Sequence, residues 1–181
     1  MSFRRLSTEI EDVVLVEPTV HGDERGFFVE TFREAELEGL GITDHFVQDN
    51  HSRSGARVLR GIHMQAGQAK LVRCPQGSIW DVAVDLRPDS PTYRRWEGYQ
   101  LDDVSHLQLY VPPGFGHAFC VLSDSADVIY RVSRYYDPDS EMGVAWDDPE
   151  IGIHWPITDP VLSDRDRNAP RLAEIAGSLQ G

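Results

Sequence analysis

Alternation of apolar and polar residues is the feature of this sequence that most restricts its fold. In residues 80–86 every second residue is apolar, with aspartate or alanine between, and the same period of two recurs in residues 107–111 and 128–133. This period is typical of β-strands that bury one face. Helical patterns occur only in residues 32–41 and in the C-terminal residues 170–180. We therefore predict an all-β chain with short peripheral helices.

Turn sequences separate these strands at short intervals. PQGS begins at residue 75, RPDSPT at 87, PPGFG at 112, SDSAD at 123 and DPDS at 137. Short strands joined by glycine, proline and aspartate turns are typical of an antiparallel sandwich or barrel. The 181 residues are enough for one full hydrophobic core, and they contain no repeat, low-complexity tract or linker. We predict a single domain over residues 1–181.

Charge and hydropathy restrict the partners and the compartment. The formal net charge of −13 argues against nucleic acid, because nucleic-acid-binding proteins usually have a basic stripe. A small phosphorylated ligand stays compatible, since a pocket can concentrate a few arginines. No apolar run approaches the roughly 20 residues of a membrane-spanning helix, and the N-terminus lacks the apolar block of a signal peptide. With only Cys74 and Cys120 there is no disulfide framework, and we expect a cytoplasmic protein without nucleic-acid or membrane partners.

Two histidines occur in contexts that suggest a site. His63 lies in the strand-like stretch VLRGIHMQAGQAKLV, and His117 ends PPGFGH, which has the P-x-G-x-x-H form of the second motif of cupins. Cupins are jelly-roll barrels that often hold a metal, and their first motif usually has a second histidine one residue after the first. Here Met64 and Gln65 follow His63, and both are poor ligands for zinc, iron or manganese. His63 could therefore belong to an incomplete metal site, act as a base, or be an ordinary polar strand residue.

Nine motifs in the chain resemble, in order and at nearly the same spacing, those of the dTDP-4-dehydrorhamnose 3,5-epimerase family. The motifs are DERGFFVETF at 23–32, QDNHSRS at 48–54, VLRGIHMQ at 58–65, QAKLV at 68–72, GSIWDVAVDLRPDSPTYRRW at 77–96, VPPGFGHAF at 111–119, YRVSRYYDPDSE at 130–141, IHWP at 153–156 and LSDRD at 162–166. They extend over nearly the entire chain.

The resemblance implies a fold, an assembly and a reaction. It implies a cupin-type jelly-roll barrel without metal, over about residues 45–155, and a homodimer in which about residues 1–35 are contributed to the partner subunit's site. The implied reaction inverts C3 and C5 of dTDP-4-dehydro-6-deoxy-D-glucose and gives dTDP-4-dehydro-L-rhamnose, without a cofactor. The expected ligand is thus a dTDP-linked 4-keto-6-deoxy sugar.

Inversion of a carbon beside a ketone requires a base, a partner for the enolate oxygen, and an acid on the opposite face. Histidine, with an ordinary pKa of about 6.5, suits the base, and a lysine in a water-poor pocket suits the enolate oxygen. The resemblance assigns the base to His63, its orienting carboxylate to Asp166, and the acid to Tyr130; Lys70 is the candidate cation. By residue type alone, Asp166 is equally a turn or cap residue, Tyr130 a core tyrosine and Lys70 an exposed lysine.

Substrate binding is assigned by the same resemblance to ten further residues. Arginine suits the diphosphate, because its planar guanidinium matches phosphate oxygens. The ten residues are Arg25, Phe28, Glu30, Gln48, Asn50, Arg60, His117, Tyr136, Glu141 and Arg165. The first three lie in the N-terminal segment expected to reach the partner.

The chain departs from the family pattern in two places. Only residues 64–69 separate His63 from Lys70, where typical members have a longer, proline-bearing loop, and Arg165 stands where lysine is frequent. Arginine keeps the charge of lysine but changes the hydrogen-bond geometry. Because the loop borders the sugar site, inversion of C3 only or C5 only is an open alternative. A metal-dependent cupin enzyme and a non-catalytic sugar-nucleotide binder are the alternatives from other functional classes.

Overall fold

A computed structural model describes residues 2–180, with Gln180 by its backbone alone. The strands are β1 Phe3–Leu6, β2 Val14–Pro18, β3 Val20–Asp23, β4 Gly26–Val29, β5 Gln48–Gly55, β6 Leu59–Gln65, β7 Lys70–Gln76, β8 Ser78–Asp85, β9 Trp96–Asp102, β10 Gln108–Val111, β11 Phe115–Val121, β12 Ser125–Val132 and β13 Glu141–Gly143. The helices are α1 Glu34–Glu38, α2 Asp164–Arg167 and α3 Leu172–Ile175, which continues into a 3₁₀-helix, Ala176–Gln180. None of the helices in residues 2–180 is long and apolar enough to cross a membrane.

Two antiparallel sheets make up the fold. The six-stranded sheet has the order β1-β2-β10-β7-β12-β5, and the five-stranded sheet has the order β13-β6-β11-β8-β9. The hairpin β3–β4 forms a separate two-stranded sheet. The predicted all-β, jelly-roll class is confirmed. Of the two predicted helical regions, 32–41 contains only Glu34–Glu38, and 170–180 contains α3 and the 3₁₀-helix that follows it.

The six-stranded sheet includes two strands that lie outside the predicted jelly-roll limits of 45–155. β2 pairs with both β1 and β10, so these two strands extend the six-stranded sheet. The alternation that marks other strands is missing from β2, where Val14, Leu15 and Val16 are all buried. A strand covered on both faces is apolar throughout, which explains why a period-of-two pattern does not reveal it.

Apolar clusters cover both faces of the sheets. The cluster between the sheets includes Val72 and Val128 from one sheet and Ile79 from the other. A second cluster joins the five-stranded sheet to the C-terminal segment through Leu172, and a third joins the six-stranded sheet to the α1 region through Leu37. Both faces of each sheet are therefore partly buried.

Burial on both faces corrects the interpretation of residues 80–86. Their alternation predicts one exposed face carrying Asp81 and Asp85, yet both aspartates are fully buried. Asp85 accepts hydrogen bonds from Arg87, Ser90 and Thr92. Buried carboxylates are tolerated because they gain such partners.

An irregularity in β6 places two polar residues on one face. His117 and Phe119 of β11, two residues apart, lie opposite His63 and Arg60 of β6, which are three apart. In a regular strand residues three apart face opposite sides, so the extra residue of this bulge turns Arg60 and His63 the same way. Gly61 occupies the bulge with a φ of +120°, and a Cβ there would lie 2.5 Å from the Cβ of Ala118.

We predict that Gly61→Ala lowers the free energy of unfolding by about 2–4 kcal/mol, because the added methyl group meets Ala118 and alanine disfavours positive φ. Urea unfolding followed by circular dichroism measures the change. The control is Gly55→Ala, at the end of β5, where a Cβ has nothing within 4 Å. Equal unfolding free energies for the two variants would show that the bulge tolerates a side chain.

Candidate active site

A cavity of about 380 Å³ is lined by strands of both sheets. Of the fourteen residues predicted for the site, it brings ten together: Gln48, Asn50, Arg60, His63, Lys70, His117, Tyr130, Tyr136, Glu141 and Arg165. β6 and β11 supply the wall from the five-stranded sheet, and β5, β7 and β12 supply the opposite wall. The cavity therefore lies between the two sheets, and most of its lining residues are polar or charged.

His63 and Asp166 form a hydrogen-bonded pair at this cavity. His63 Nε2 lies 2.6 Å from Asp166 Oδ1, and Asp166 is buried. This contact leaves Nδ1 as the ring nitrogen that can take a proton from a ligand. A buried carboxylate on one ring nitrogen orients the imidazole and stabilises its protonated form.

Asp166 is held in place by the first turn of α2. Ser163 caps this helix by accepting a hydrogen bond from the Asp166 N–H at 3.1 Å, and its hydroxyl donates to Asp166 Oδ2 at 2.9 Å. Burial raises the pKa of Asp166, but the hydrogen bonds from His63, Ser163 and the Gly61 N–H outweigh burial and lower it. The carboxyl group is therefore ionised at neutral pH.

Lys70 begins β7 on the wall opposite His63. Its side chain is buried, and its Nζ donates to the His63 carbonyl oxygen at 3.3 Å. Burial lowers the pKa of Lys70 to about 8, although the charges of Glu141 and Asp81 oppose the shift. At neutral pH the cavity therefore contains a desolvated ammonium group, which stabilises a nearby developing negative charge more strongly than an exposed one does.

Tyr130 lies on β12, also on the wall opposite His63. Burial raises the pKa of its phenol, the charge of Glu141 acts in the same direction, and Arg60 opposes them. The phenol therefore keeps its proton at neutral pH and can donate it. The proposed base and acid are carried by different sheets.

Glu141, Arg165 and Tyr136 form a charged cluster at the cavity. Arg165 Nη1 donates to Glu141 Oε2 at 2.8 Å, and the Tyr136 hydroxyl is hydrogen-bonded to Glu141. Burial raises the pKa of Glu141, but the hydrogen bonds from Arg165 and Tyr136 outweigh it and lower the pKa. Arg165 and Asp166 are neighbours in α2, so this helix supplies both the partner of Glu141 and the partner of His63.

The remaining cavity residues include a second histidine–carboxylate pair. His117 Nε2 lies 2.8 Å from Asp81 Oδ1, and both side chains are buried. Gln48 donates to Asn50 at 2.9 Å, and Arg60 donates to Ser54 at 3.0 Å. Within residues 2–180 there is no group of three or more His, Cys, Asp or Glu side chains placed to hold a metal ion.

Sequence reasoning missed Asp81 and Ser163. The alternation in residues 80–86 predicts an exposed Asp81, and neither the motifs nor the residue type assigns a role to Ser163. The N-cap preference of serine, together with the acidic residue three positions later, is the signal that could have revealed Ser163.

Of the four predicted residues that do not line the cavity, Asp166 reaches it through His63, and the other three lie elsewhere in the chain. Arg25 and Phe28 belong to the hairpin β3–β4 and its turn, where Arg25 pairs with Asp23 and Phe28 is 69% exposed. Glu30 follows the hairpin and accepts a hydrogen bond from Arg33 at 2.8 Å. Within one chain, the structure does not bring these residues to His63.

Comparison with known proteins gives one consistent result. The family model for dTDP-4-dehydrorhamnose 3,5-epimerase matches residues 7–174. The dTDP-4-dehydrorhamnose 3,5-epimerase of Escherichia coli strain K12 is 48% identical over 175 residues, which cover 94% of this chain and 95% of the relative. The chain belongs to the dTDP-4-dehydrorhamnose 3,5-epimerase family. The predicted family and isomerase class are confirmed.

Two further comparisons are with a solved structure that contains a sugar nucleotide and with a 3-epimerase. The dTDP-6-deoxy-D-glucose-3,5-epimerase of Legionella pneumophila Philadelphia 1, solved in complex with dTDP-4-keto-L-rhamnose, superposes with a TM-score of 0.94 at 44% identity, covering 98% of this chain and 96% of that one. The dTDP-4-dehydrorhamnose 3-epimerase of Streptomyces niveus is 45% identical over 169 residues, 91% of this chain and 82% of the relative. The family thus includes both double and single epimerases.

We predict that Asp166→Asn lowers kcat for epimerisation by about 10²–10⁴-fold, because the imidazolium loses its charged partner. Affinity for dTDP should change little, since Asp166 does not line the cavity. Steady-state kinetics and calorimetric titration with dTDP measure the two effects. Asp164→Asn, an exposed position in the same helix, is the control and should keep wild-type kcat. A kcat for Asp166→Asn equal to that of the control would remove Asp166 from the mechanism.

We also predict that kcat falls as the pH rises through about 8, because Lys70 loses its proton there and the cavity loses its cation. The phenol of Tyr130, with its raised pKa, stays protonated in this range. Lys70→Arg should move the descending limb of the pH profile to higher pH in the activity that remains, because arginine stays protonated. A limb that stays near pH 8 in this variant would assign it to another group.

Proposed function

We propose that the chain inverts both C3 and C5 of dTDP-4-dehydro-6-deoxy-D-glucose, giving dTDP-4-dehydro-L-rhamnose. The observation that carries the proposal is the placement of His63, paired with Asp166, and Tyr130 on opposite sheets of one cavity. A base and an acid on two walls can serve the two faces of one sugar ring. The Legionella relative, with its bound dTDP-4-keto-L-rhamnose, supports this substrate class.

The proposed reaction begins with proton removal. His63 takes the proton from a carbon next to the C4 ketone, and the electron pair of the broken C–H bond forms the enolate, whose negative charge rests on the C4 oxygen. The Lys70 ammonium stabilises this charge, and Asp166 stabilises the imidazolium. The enolate carbon is planar, so it can be protonated from either face.

Inversion follows when Tyr130 donates its proton to the opposite face of that carbon. The ketone re-forms, His63 loses the acquired proton to solvent, and the Tyr130 phenolate regains one from solvent. The same steps at the second carbon complete the double inversion. In this scheme the protein supplies the base and the acid, and solvent restores their protonation.

Binding of the nucleotide is proposed to use the cavity and a second subunit. Arg60 and Arg165 are the cavity arginines for the diphosphate, and Gln48, Asn50, His117, Tyr136 and Glu141 complete the binding surface. We propose that Arg25, Phe28 and Glu30 serve the site of the second copy in a homodimer. The exposed aromatic rings of the hairpin support this, since such a surface is normally covered.

The compartment proposed is the cytoplasm. Cys74 and Cys120 are both free and buried, which suits a reducing environment.

A single-carbon epimerase is the second candidate. The 3-epimerase of Streptomyces niveus is 45% identical to this chain, and the turn between His63 and Lys70 is short. Both candidates use the same proposed residues and differ in how many carbons exchange their protons.

We predict that incubation with dTDP-4-dehydro-6-deoxy-D-glucose in D₂O introduces deuterium at both C3 and C5, because each reprotonation uses solvent-derived hydrogen. NMR of the two positions measures the incorporation. Deuterium at one carbon only would replace the double epimerase with the single epimerase, and deuterium at neither would contradict the proposed function.

Tyr130→Phe separates the two protonation steps in the same assay. It should keep part of the exchange at the His63 face while suppressing inversion, because the acid alone is removed. Tyr93→Phe, at a partly buried tyrosine outside the cavity, is the control. If Tyr130→Phe inverts the sugar as fast as the control, Tyr130 is not the acid.

A further inference from the structure

Gln65 hydrogen-bonds the backbone of the connection between β12 and β13 with both ends of its amide group. Its Nε2 donates to the Tyr135 carbonyl oxygen at 2.9 Å, and its Oε1 accepts from the Asp137 N–H at 3.0 Å. The two contacts together determine the orientation of the amide. Gln65 therefore ties two points of the segment 133–137 to β6.

Gln68 and Gln48 contact two further residues of the same segment. Gln68 Nε2 donates to the Arg134 carbonyl oxygen at 3.0 Å, and Gln48 Oε1 accepts from the Tyr136 N–H at 3.2 Å. Four consecutive residues of the segment, 134–137, are thus each held by a glutamine side chain.

The turn between β6 and β7 contacts the segment 133–137 directly. Ser133 and Ala69 exchange two hydrogen bonds, from the Ser133 N–H to the Ala69 carbonyl at 3.1 Å and from the Ala69 N–H to the Ser133 hydroxyl at 2.8 Å. Gly67 has a φ of +65°, and a Cβ there would lie 2.7 Å from Arg134 Cζ. The short turn therefore packs directly against the segment.

Burial indicates that these contacts persist. Gln65 is 5% exposed and Gln68 is 8% exposed, so little of either side chain is open to solvent. A buried amide without a partner is unfavourable, and the segment provides the partners. The same two strands also place the proposed base and cation, because Gln65 lies two residues after His63 and Gln68 two residues before Lys70.

We propose that Gln65 and Gln68 are positioning residues that hold the segment 133–137 as a preformed wall of the nucleotide site. This inference rests on the proposed function, because it assigns Tyr136, in that segment, to the binding surface. A wall ordered in advance spares the ligand the entropy of ordering it and so increases affinity. The two glutamines act through the segment, since each binds its backbone, although both also line the cavity.

The test compares Gln65→Met and Gln68→Met, which keep side-chain length and remove the hydrogen bonds. Each lost hydrogen bond should weaken binding about two- to tenfold, so Gln65→Met, which loses two, should have the larger effect. The dissociation constant for dTDP and KM should rise together, with kcat nearly unchanged. Hydrogen exchange at the Tyr136 and Asp137 amides should become faster in Gln65→Met.

Gln108→Met is the matched control. Gln108 is 2% exposed and donates to the Thr31 carbonyl oxygen at 3.0 Å, so it is also a buried glutamine bound to backbone, but it lies outside the cavity. It should keep the wild-type affinity for dTDP and the wild-type exchange at residues 136 and 137. Thermal unfolding of all three variants shows whether they are equally folded.

Three outcomes would overturn the proposal. In the first, Gln65→Met and Gln68→Met have the same affinity for dTDP and the same amide hydrogen exchange as Gln108→Met. In the second, the two variants lose kcat but keep the wild-type affinity for dTDP. The third is weaker dTDP binding without faster exchange, which would make the glutamines direct ligands. Failure of the proposed function would appear separately, as a wild-type protein that binds dTDP but does not epimerise the sugar. In that case the dTDP-binding and hydrogen-exchange measurements would still test the role of the two glutamines.

Discussion

The buried hydrogen bond between His63 and Asp166 is the contact on which the geometry of the site depends. It joins β6 of the five-stranded sheet to α2. Because α2 has only four residues, it is not stable by itself and depends on such tertiary contacts. A carboxylate in this position is unfavourable unless donors surround it, and His63, Ser163 and the Gly61 backbone provide them. The same helix places Arg165 against Glu141. The His63–Asp166 hydrogen bond therefore also helps to position the Arg165–Glu141 ion pair at the cavity.

The two sheets allow the cavity to hold a base on one wall and an acid and a cation on the other. His63 and Arg60 come from one sheet, and Lys70 and Tyr130 come from the other. Each wall is stiffened by apolar clusters on its far side, so the polar groups keep their positions without help from a ligand. Separation of the proposed base and acid is thus a direct result of the sandwich.

Local charge in the cavity differs from the charge of the whole protein. The chain carries a net charge of −13, yet the cavity collects Arg60, Lys70 and Arg165 against one carboxylate that lines it, Glu141. Such a local excess of positive charge attracts an anionic ligand to one place on an acidic surface. A diphosphate fits this distribution better than an extended polyanion, for which the surrounding surface is repulsive.

Strand periodicity predicted the all-β class, and the order of nine motifs predicted the family and the ten residues that line the cavity, because both patterns can be read along the chain without knowledge of its packing. Periodicity did not reveal β2, whose two buried faces erase the period, or the burial of Asp81, which depends on a second covered face. That Arg60 and His63 share a face depends on the bulge at Gly61, which forms only when β6 pairs with β11. The contact of His63 with Asp166 likewise depends on tertiary packing, since 103 residues separate them and a contact at that distance along the chain arises only when the sheets and the C-terminal segment pack together.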